Sequence, residues 1–552
     1  MRQLFSSFFL FLIIAVTPIF ANQILEDIEA KKWAASTLDT LSIDEKIGQL
    51  LICGVFPQSA DAQKEGILQH PIVYVEEAIE KYHVGSLLFK YSWTPESLRQ
   101  RLSYFQSLST IPLLTMQDLE WGLNMRHPGE AKLPYNITLG AIQDDKLIYK
   151  CAKKIAHQTK ALGLDLNLAP VVDVNTNPQN PIIGSRSFGQ DPLNVAIKAS
   201  IFISSMQKNG IATCAKHFPG HGDTSQDSHV ELCKVDKSLD EIQKTSLIPF
   251  KKAIESGVKC IMTAHITVPS VDALPATLSQ KWIQGILRSE MNFDGIVITD
   301  DFAMKAIDNH YSIEKASVLA FKAGCDLIMS STEIPKTFSA LKKAYNEGVI
   351  TEEEINDKVR KILAFKYLCK QQKAKGRTES ISIDSLNAKL YENAITTINS
   401  PSFLNHQSCI YVQIGNQTSG MLHDELKKVI PKLASAYLGP ISSQGERAYT
   451  LRKLKSYDSH VICLCGLNRN ASQNYGISPD TEIFIDELEK SFPHAIFVVF
   501  ATPYTLSFFH PDTSVVLAYE DQKEAHVAVA KVLLRIKKAK GLLPVVPMRK
   551  RN

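Results

Sequence analysis

Between Lys216 and His229 the chain reads KHFPGHGDTSQDSH. Three histidines (His217, His221, His229), two aspartates (Asp223, Asp227) and a lysine share this short stretch. Imidazoles and carboxylates at such density serve metal ligation or proton transfer. Zinc needs three or four converging ligands, and the HExxH pattern supplies two of them one turn apart on a helix. Here FPG separates His217 from His221, and proline and glycine stop such a helix. The DSH triplet suits proton transfer better. In extended chain, residues i and i+2 point to one side, so Asp227 can reach an imidazole nitrogen of His229. A carboxylate in that position fixes an imidazole's tautomer and raises its basicity. His229 is then a candidate general acid and base, with Asp227 as its partner. The glycines of PGHG let this loop fold over a pocket.

Proton transfer at an anomeric carbon would also need a carboxylate nucleophile on the other face of the sugar. GIVITDDFAM, residues 295–304, offers Asp300 and Asp301. Consecutive strand residues face opposite ways, so one should aim at the pocket and the other should cap a helix starting near Phe302. Alternation alone does not choose between them.

Eight short apolar runs must position these residues. They are IGQLLICGV (47–55), VGSLLF (84–89), IPLLTMQD (111–118), LDLNLAPVVDV (164–174), GIATCAKHF (210–218), VKCIMTAHI (258–266), GIVITD (295–300) and CDLIMSS (325–331). Continuous apolar strands suit a parallel sheet buried on both faces. Amphipathic stretches such as LIYKCAKKIAHQTKALG and SIEKASVLAFKAG alternate with several of them. This pattern predicts an α/β fold, a (β/α)8 TIM-like barrel, over residues 22–370. A doubly wound open sheet is the alternative, but no GxGxxG follows the first run. Asp118, Lys216, His217, His265, Asp300 and Asp301 all fall at the C-terminal ends of these runs, where barrel active sites gather.

A polar stretch over 371–385 reads as a linker. SCIYVQIG, SHVICLCG, AIFVVFATP and SVVLAYE then read as strands, with HDELKKVIPKLA and KEAHVAVAKVLLRI as helices. These predict a smaller α/β domain, an αβα sandwich over 386–552, with no cluster comparable to 216–229 and hence no catalytic group. At the N-terminus one Arg precedes an apolar run and small residues near Ala21. Residues 1–21 therefore read as a secretory signal, with an uncleaved membrane anchor as the alternative. The expected location is periplasmic or extracellular, with no stable membrane insertion once the signal is removed. A net charge of +4 over 552 residues argues against nucleic-acid binding. The ten cysteines show no CxxC, and most sit in apolar runs, so they read as core thiols.

The motifs together resemble family 3 glycoside hydrolases, specifically their β-N-acetylglucosaminidase (β-hexosaminidase) branch of the two-domain type. KHFPGHGDTSQDSH matches that branch's signature, and QDLEWGLNMR its DxExGxxxR segment. LPYNITLGA, NLAPVVDVNTNPQNPIIGSRSFGQDP, MTAHITVPSVDALPATLS and GIVITDDFAM follow in the family's order. The resemblance implies that Asp300 is the nucleophile and Asp301 the cap, with His229 as acid/base and Asp227 as its partner. Asp118, Arg126, Arg186, Lys216 and His217 match positions that bind the terminal sugar. It further implies a retaining exo-glycosidase that needs no metal or organic cofactor. Its partner would be a glycan, a GlcNAc–muramic acid fragment of peptidoglycan, and the expected state is a monomer. Where the branch usually carries a second glycine, this chain has Trp121, which would narrow the pocket, offer an aromatic platform or simply pack. A β-glucosidase, a phosphorylase of the same fold and a sugar-binding wall protein with a dead site are the alternative readings.

Overall fold

The computed structural model describes residues 24, 26–57, 72–225, 232–375, 382–399, 401, 404–416 and 421–546. The leader expected over 1–21, and Asp227 and His229, lie outside the described residues.

Each of the eight apolar runs contains one strand of a single sheet. They are β1 Leu51–Val55, β2 Ser86–Phe89, β3 Leu114–Gln117, β4 Leu166–Asn167, β5 Ala212–Phe218, β6 Cys260–Thr263, β7 Ile296–Thr299 and β8 Ile328–Met329. Neighbours pair in parallel in the order β8-β1-β2-β3-β4-β5-β6-β7. One further parallel bridge, Ile298 to Leu327, closes the ring. The fold is therefore the TIM-like barrel and not the open sheet. Every residue of these strands is buried, as a sheet covered on both faces requires.

The intervening helices follow ordinary rules. Helix Asp145–Leu162 starts where the Asp144 carboxylate accepts from the Lys146 N–H and stops at Gly163, whose φ is 87°. Its buried stripe, Leu147, Ile148, Cys151, Ala152, Ile155 and Leu162, keeps helical spacing and faces the barrel and the next helix, Pro192–Lys208. The first apolar run departs from expectation. Its opening residues belong to helix Ile43–Gln49, because Ser42 and Glu45 form a capping box ahead of them.

The second domain contains β9 Thr396–Ile398, β10 Cys409–Gly415, β11 Ala434–Leu438, β12 Ser459–Cys465, β13 Ile496–Val499 and β14 Ser514–Leu517. Their order is β9-β14-β13-β12-β10-β11. Only β9 runs antiparallel to its neighbour. Alternate residues serve two cores. Tyr411, Val461, Cys463 and Val498 pack with Leu422, Leu426 and Val529 on one face. Ile410, Val412, Ile462, Leu464 and Val499 pack with Leu454, Phe484 and Leu488 on the other. Helices thus cover both faces, which is the αβα sandwich. The helix expected over 423–434 ends at Lys427, and Ala434 already opens β11; Pro431 between them cannot continue a helix. The expected linker is also shorter than 371–385. One helix, Glu352–Lys375, enters that stretch and another, Ile383–Ala394, begins inside it.

All ten cysteines are buried, and burial raises several of the thiols, that of Cys151 to about 12. No helix among the described residues is long and apolar enough to cross a membrane.

The two domains are joined through a buried carboxylate. Glu520 accepts from the Tyr135 N–H at 2.8 Å and the Thr138 hydroxyl at 2.6 Å, and pairs with Lys132 Nζ at 2.6 Å. Tyr475 donates to the Pro178 carbonyl, and Asn175 donates to the Tyr504 hydroxyl. Removing one partner of a buried ion pair strands the other, at about 3 kcal/mol. Glu520→Ala should lower stability by that amount in denaturant unfolding. Glu520→Gln, which keeps an acceptor for Tyr135 and Thr138, should lose less. Equal loss in both variants would place the stabilisation elsewhere.

Candidate active site

The C-terminal ends of the barrel strands enclose a cavity of about 330 Å³. Its lining includes Lys90, Asp118, Glu120, Trp121, Arg126, Arg186, Lys216, His217, His221, Asp300, Asp301 and Arg469. All five sugar-binding candidates and Asp300 therefore share one cavity. Asp227 and His229 lie outside the described residues.

Asp118 and Glu120 project from the turn after β3. Asn167 at the end of β4 pins that turn, accepting from the Leu119 N–H and donating to the Leu119 carbonyl. Lys216 and His217 are consecutive in β5, yet both reach the cavity. The pairing of β5 with β6 shifts register between Ala215 and Phe218, an irregularity of the kind that re-aims side chains. Behind them, Gly222 lies so close to the Val174 carbonyl that a Cβ would meet it at 1.9 Å, and Gly220 has a φ of 126°. The glycines of PGHG thus seat the loop against the strand end.

The side chains form one chain of paired charges. Lys216 Nζ contacts Asp118 Oδ1 at 2.6 Å and Glu120 Oε1 at 2.9 Å. Arg126 Nη2 reaches Asp118 Oδ2 at 3.1 Å. Arg186 grips Glu120 with Nε at 3.0 Å and Nη2 at 2.7 Å, the forked geometry that favours arginine. The Arg186 Nη2 also lies 3.4 Å from His217 Nε2, while His217 Nδ1 faces Asp173 Oδ2 at 2.8 Å. The His221 backbone N–H donates to Asp173 Oδ1 at 2.7 Å. Both imidazole-bearing residues are thus turned onto Asp173. Among the described residues no group of three His, Cys, Asp or Glu side chains is arranged to hold a metal ion. Asp223, also in the cluster, pairs with Lys237 at 2.7 Å.

Glu120 and Asp173 were not singled out by the sequence reading. Glu120 is the glutamate of the matched DxExGxxxR segment and Asp173 lies in the matched NLAPVVDV segment near a strand end, so each had a signal in its motif as well as in its place. His265 is a supporting residue: its ring bonds to the Thr277 hydroxyl and the Asp301 carbonyl.

Asp300 and Asp301 correct the alternation argument. β7 ends at Thr299, so both aspartates lie past the regular strand and both line the cavity. Nor does Asp301 cap a helix near Phe302; the next helix, Lys305–Asp308, starts later and lacks a side-chain cap. Asp301 instead pairs with Lys90 and accepts from the Ser331 N–H and hydroxyl and the Ala303 N–H. The Asp300 carboxylate accepts from the Asp301 N–H at 2.8 Å. Trp121 is buried, packs edge-on against Tyr135 and lies under the Arg469 guanidinium. Arg469 belongs to the second domain, which therefore does supply a residue to the cavity wall.

Burial pushes the Asp118 carboxyl up, but Lys216 and Arg126 outweigh it and hold it at about 2. Glu120 is depressed likewise, burial being overcome by Arg186 and Lys216. Asp173 is lowered by His217 against its burial. Burial lowers His221 to about 4. The consequences for folding have one sign. Below pH 6.5 the unfolded chain protonates His221 before the native state does, so stability falls between pH 6.5 and 4. The carboxylates protonate in the unfolded chain near their ordinary values, 4.5 for Glu120 and 3.8 for Asp118. Their stabilisation, about 2 kcal/mol for a carboxylate so shifted, is lost as pH falls further towards 2. The Tm should decline from pH 6.5 and steepen below pH 4.5. A Tm level from pH 6.5 to 3 would contradict these assignments.

The model of the glycosyl hydrolase family 3 N-terminal domain matches residues 42–365. A β-hexosaminidase from Nitrosomonas eutropha is 35% identical over 270 residues, 48% of this chain and 74% of that protein. β-Hexosaminidase A from Pseudoalteromonas piscicida is 26% identical over 85% of this chain and 90% of its own length. A β-N-acetylglucosaminidase/β-glucosidase from Cellulomonas fimi is 28% identical over 60% of this chain, a match that spans 59% of that longer protein. Among solved structures, a family 3 β-N-acetylglucosaminidase from Paenibacillus sp. str. FPU-7 superposes with a TM-score of 0.75 at 28% identity, covering 93% of this chain and 100% of that one. The family model covers more than half of the chain and falls on the barrel that builds the cavity, so this protein belongs to glycoside hydrolase family 3 and is a glycoside hydrolase.

Proposed function

We propose that the protein is a retaining exo-β-N-acetylglucosaminidase. The observation that carries this reading is the shared cavity: Asp300 lines the same strand-end pocket as Asp118, Arg126, Arg186, Lys216 and His217. Asp118 and Glu120 are ionised acceptors for sugar hydroxyls, while Arg126, Arg186 and Lys216 are donors held in fixed directions by those carboxylates. The relatives named β-hexosaminidase and β-N-acetylglucosaminidase support the choice of sugar.

In the first step an Asp300 carboxylate oxygen attacks the anomeric carbon. The bond to the leaving oxygen breaks, and that oxygen takes a proton from His229, which Asp227 orients. In the second step neutral His229 removes a proton from water, and the water oxygen displaces Asp300, releasing GlcNAc with its β configuration kept. The chain of ion pairs fixes the donors before substrate arrives, so little reorganisation is needed at the moment of reaction. On this reading the natural substrate is a GlcNAc–muramic acid fragment of peptidoglycan. The enzyme acts outside the cytoplasm, as the leader-like residues 1–21 suggest, and works as a monomer.

The test compares aryl β-GlcNAc with aryl β-glucoside, each with and without phosphate and EDTA. Faster turnover of aryl β-GlcNAc, unaffected by either addition, is expected. Preference for glucoside would make the protein a β-glucosidase, a rate that requires phosphate would make it a phosphorylase, and loss with EDTA would restore a metal mechanism.

A further inference from the structure

Five cationic side chains line the cavity, and four of them are committed to carboxylates. Lys90 pairs with Asp301, Arg126 with Asp118, Arg186 with Glu120, and Lys216 with both Asp118 and Glu120. The fifth is Arg469. Its guanidinium lies 5.0 Å from the Trp121 ring centre and 4.9 Å from that of Tyr135. Among the described residues it makes no ion pair, and it is solvent-exposed.

Its place in the fold is equally specific. Arg469 sits in the loop after β12, at the C-terminal edge of the second sheet. From β10 the chain goes to one side, to β11, and β12 returns to the other. Crevices at such reversal points of open α/β sheets are where ligands bind. Here Arg469, in the loop that follows this point, lines the barrel cavity. Two aromatic rings hold the guanidinium by their faces, leaving its N–H edge for another partner. Lys132 lies 3.8 Å over the same Tyr135 ring, but its charge is matched by Glu520. An unpaired, pre-oriented guanidinium is suited to an oxyanion, which it can hold with two parallel hydrogen bonds.

We infer that Arg469 is a specificity residue of the second domain that binds an oxyanion at the mouth of the active-site cavity. The oxyanion is a carboxylate on the leaving group or a free phosphate. This inference rests on the proposed glycosidase reading and deepens it: the barrel would hold the terminal sugar, and the second domain would read the charge beside it.

The experiment uses the full chain as wild type, Arg469→Gln and Arg469→Lys. Two aryl β-GlcNAc substrates differ only in a carboxylate on the aryl ring. Charge-assisted hydrogen bonds are worth about 10- to 100-fold in binding. Wild type should favour the carboxylated substrate in kcat/KM, and Arg469→Gln should lose at least about tenfold of that preference. Arg469→Lys should keep part of it, as a point charge without the fork. If the source is phosphate, added phosphate should raise the melting temperature of wild type in a saturable way, and Arg469→Gln should move the half-saturation by a similar factor. A Gln variant that changes both substrates and the phosphate response equally overturns the inference. Turnover of the neutral substrate by wild type reports on the glycosidase reading by itself. Should that turnover be absent, the melting shift produced by the carboxylated compound or by phosphate, wild type against Arg469→Gln, still decides: a shift confined to wild type supports the oxyanion site, and identical behaviour refutes it.

Discussion

Asp300→Ala is expected to lower turnover of aryl β-GlcNAc by at least about 10³-fold, because losing a covalent nucleophile removes the step itself. Asp301→Ala, one residue on, is expected to act mainly on stability. The two carboxylates line the same cavity but have different surroundings. Asp301 is tied to Lys90, to the Ser331 N–H and hydroxyl and to the Ala303 N–H, so its oxygens are already occupied. Removing it leaves the partly exposed Lys90 without its carboxylate, a loss of about 1 to 3 kcal/mol. Steady-state kinetics and denaturant unfolding on both variants separate the roles. Near-normal turnover in Asp300→Ala would end its assignment as nucleophile, and an Asp301→Ala that folds normally but is dead would transfer the role to Asp301.

The second large effect concerns His229. As acid and base, it protonates the leaving oxygen and later deprotonates water. His229→Ala should therefore slow substrates with poor leaving groups about 10²- to 10⁴-fold more than activated aryl glycosides, the usual worth of general acid catalysis. A good leaving group departs without a proton, so Asp300 alone can then form the intermediate. Hydrolysis of that intermediate should become slow for every substrate, since water has lost its base. Asp227→Ala should give a milder version, as it only orients and tunes the imidazole. The measurement is a plot of rate against leaving-group acidity for wild type and both variants. A plot with the same slope in His229→Ala as in wild type would remove this residue from the proton-transfer role.

The barrel was legible because its strands are buried on both faces and so read as unbroken apolar runs. The same property misled at the first run, where IGQ is apolar enough for a strand, yet the capping box of Ser42 and Glu45 makes it helix. Asp118, Lys216, His217 and Asp300 could be placed because strand ends in this fold point at one cavity. The Asp300–Asp301 alternation failed because both residues lie past the hydrogen-bonded strand, where the two-residue period no longer applies. Lys90 follows directly on the run 84–89 and had the same strand-end signal, whereas Arg469 carries no local signal. Arg469 reaches the cavity only because Glu520, Tyr475 and Tyr504 dock the second domain onto the barrel, a contact between segments distant in sequence that no local pattern encodes. The edge strands β9 and β11 were missed because they are partly exposed and lack a continuous apolar run.

The proposed mechanism passes through a covalent bond between Asp300 and the sugar. A fluorinated β-GlcNAc fluoride, whose fluorine slows the second step more than the first, should accumulate that intermediate. Intact-mass spectrometry should then show one added fluorosugar, and peptide mapping should place it on Asp300. An active enzyme that gains no label, or a label on any other carboxylate, would contradict Asp300 as the nucleophile.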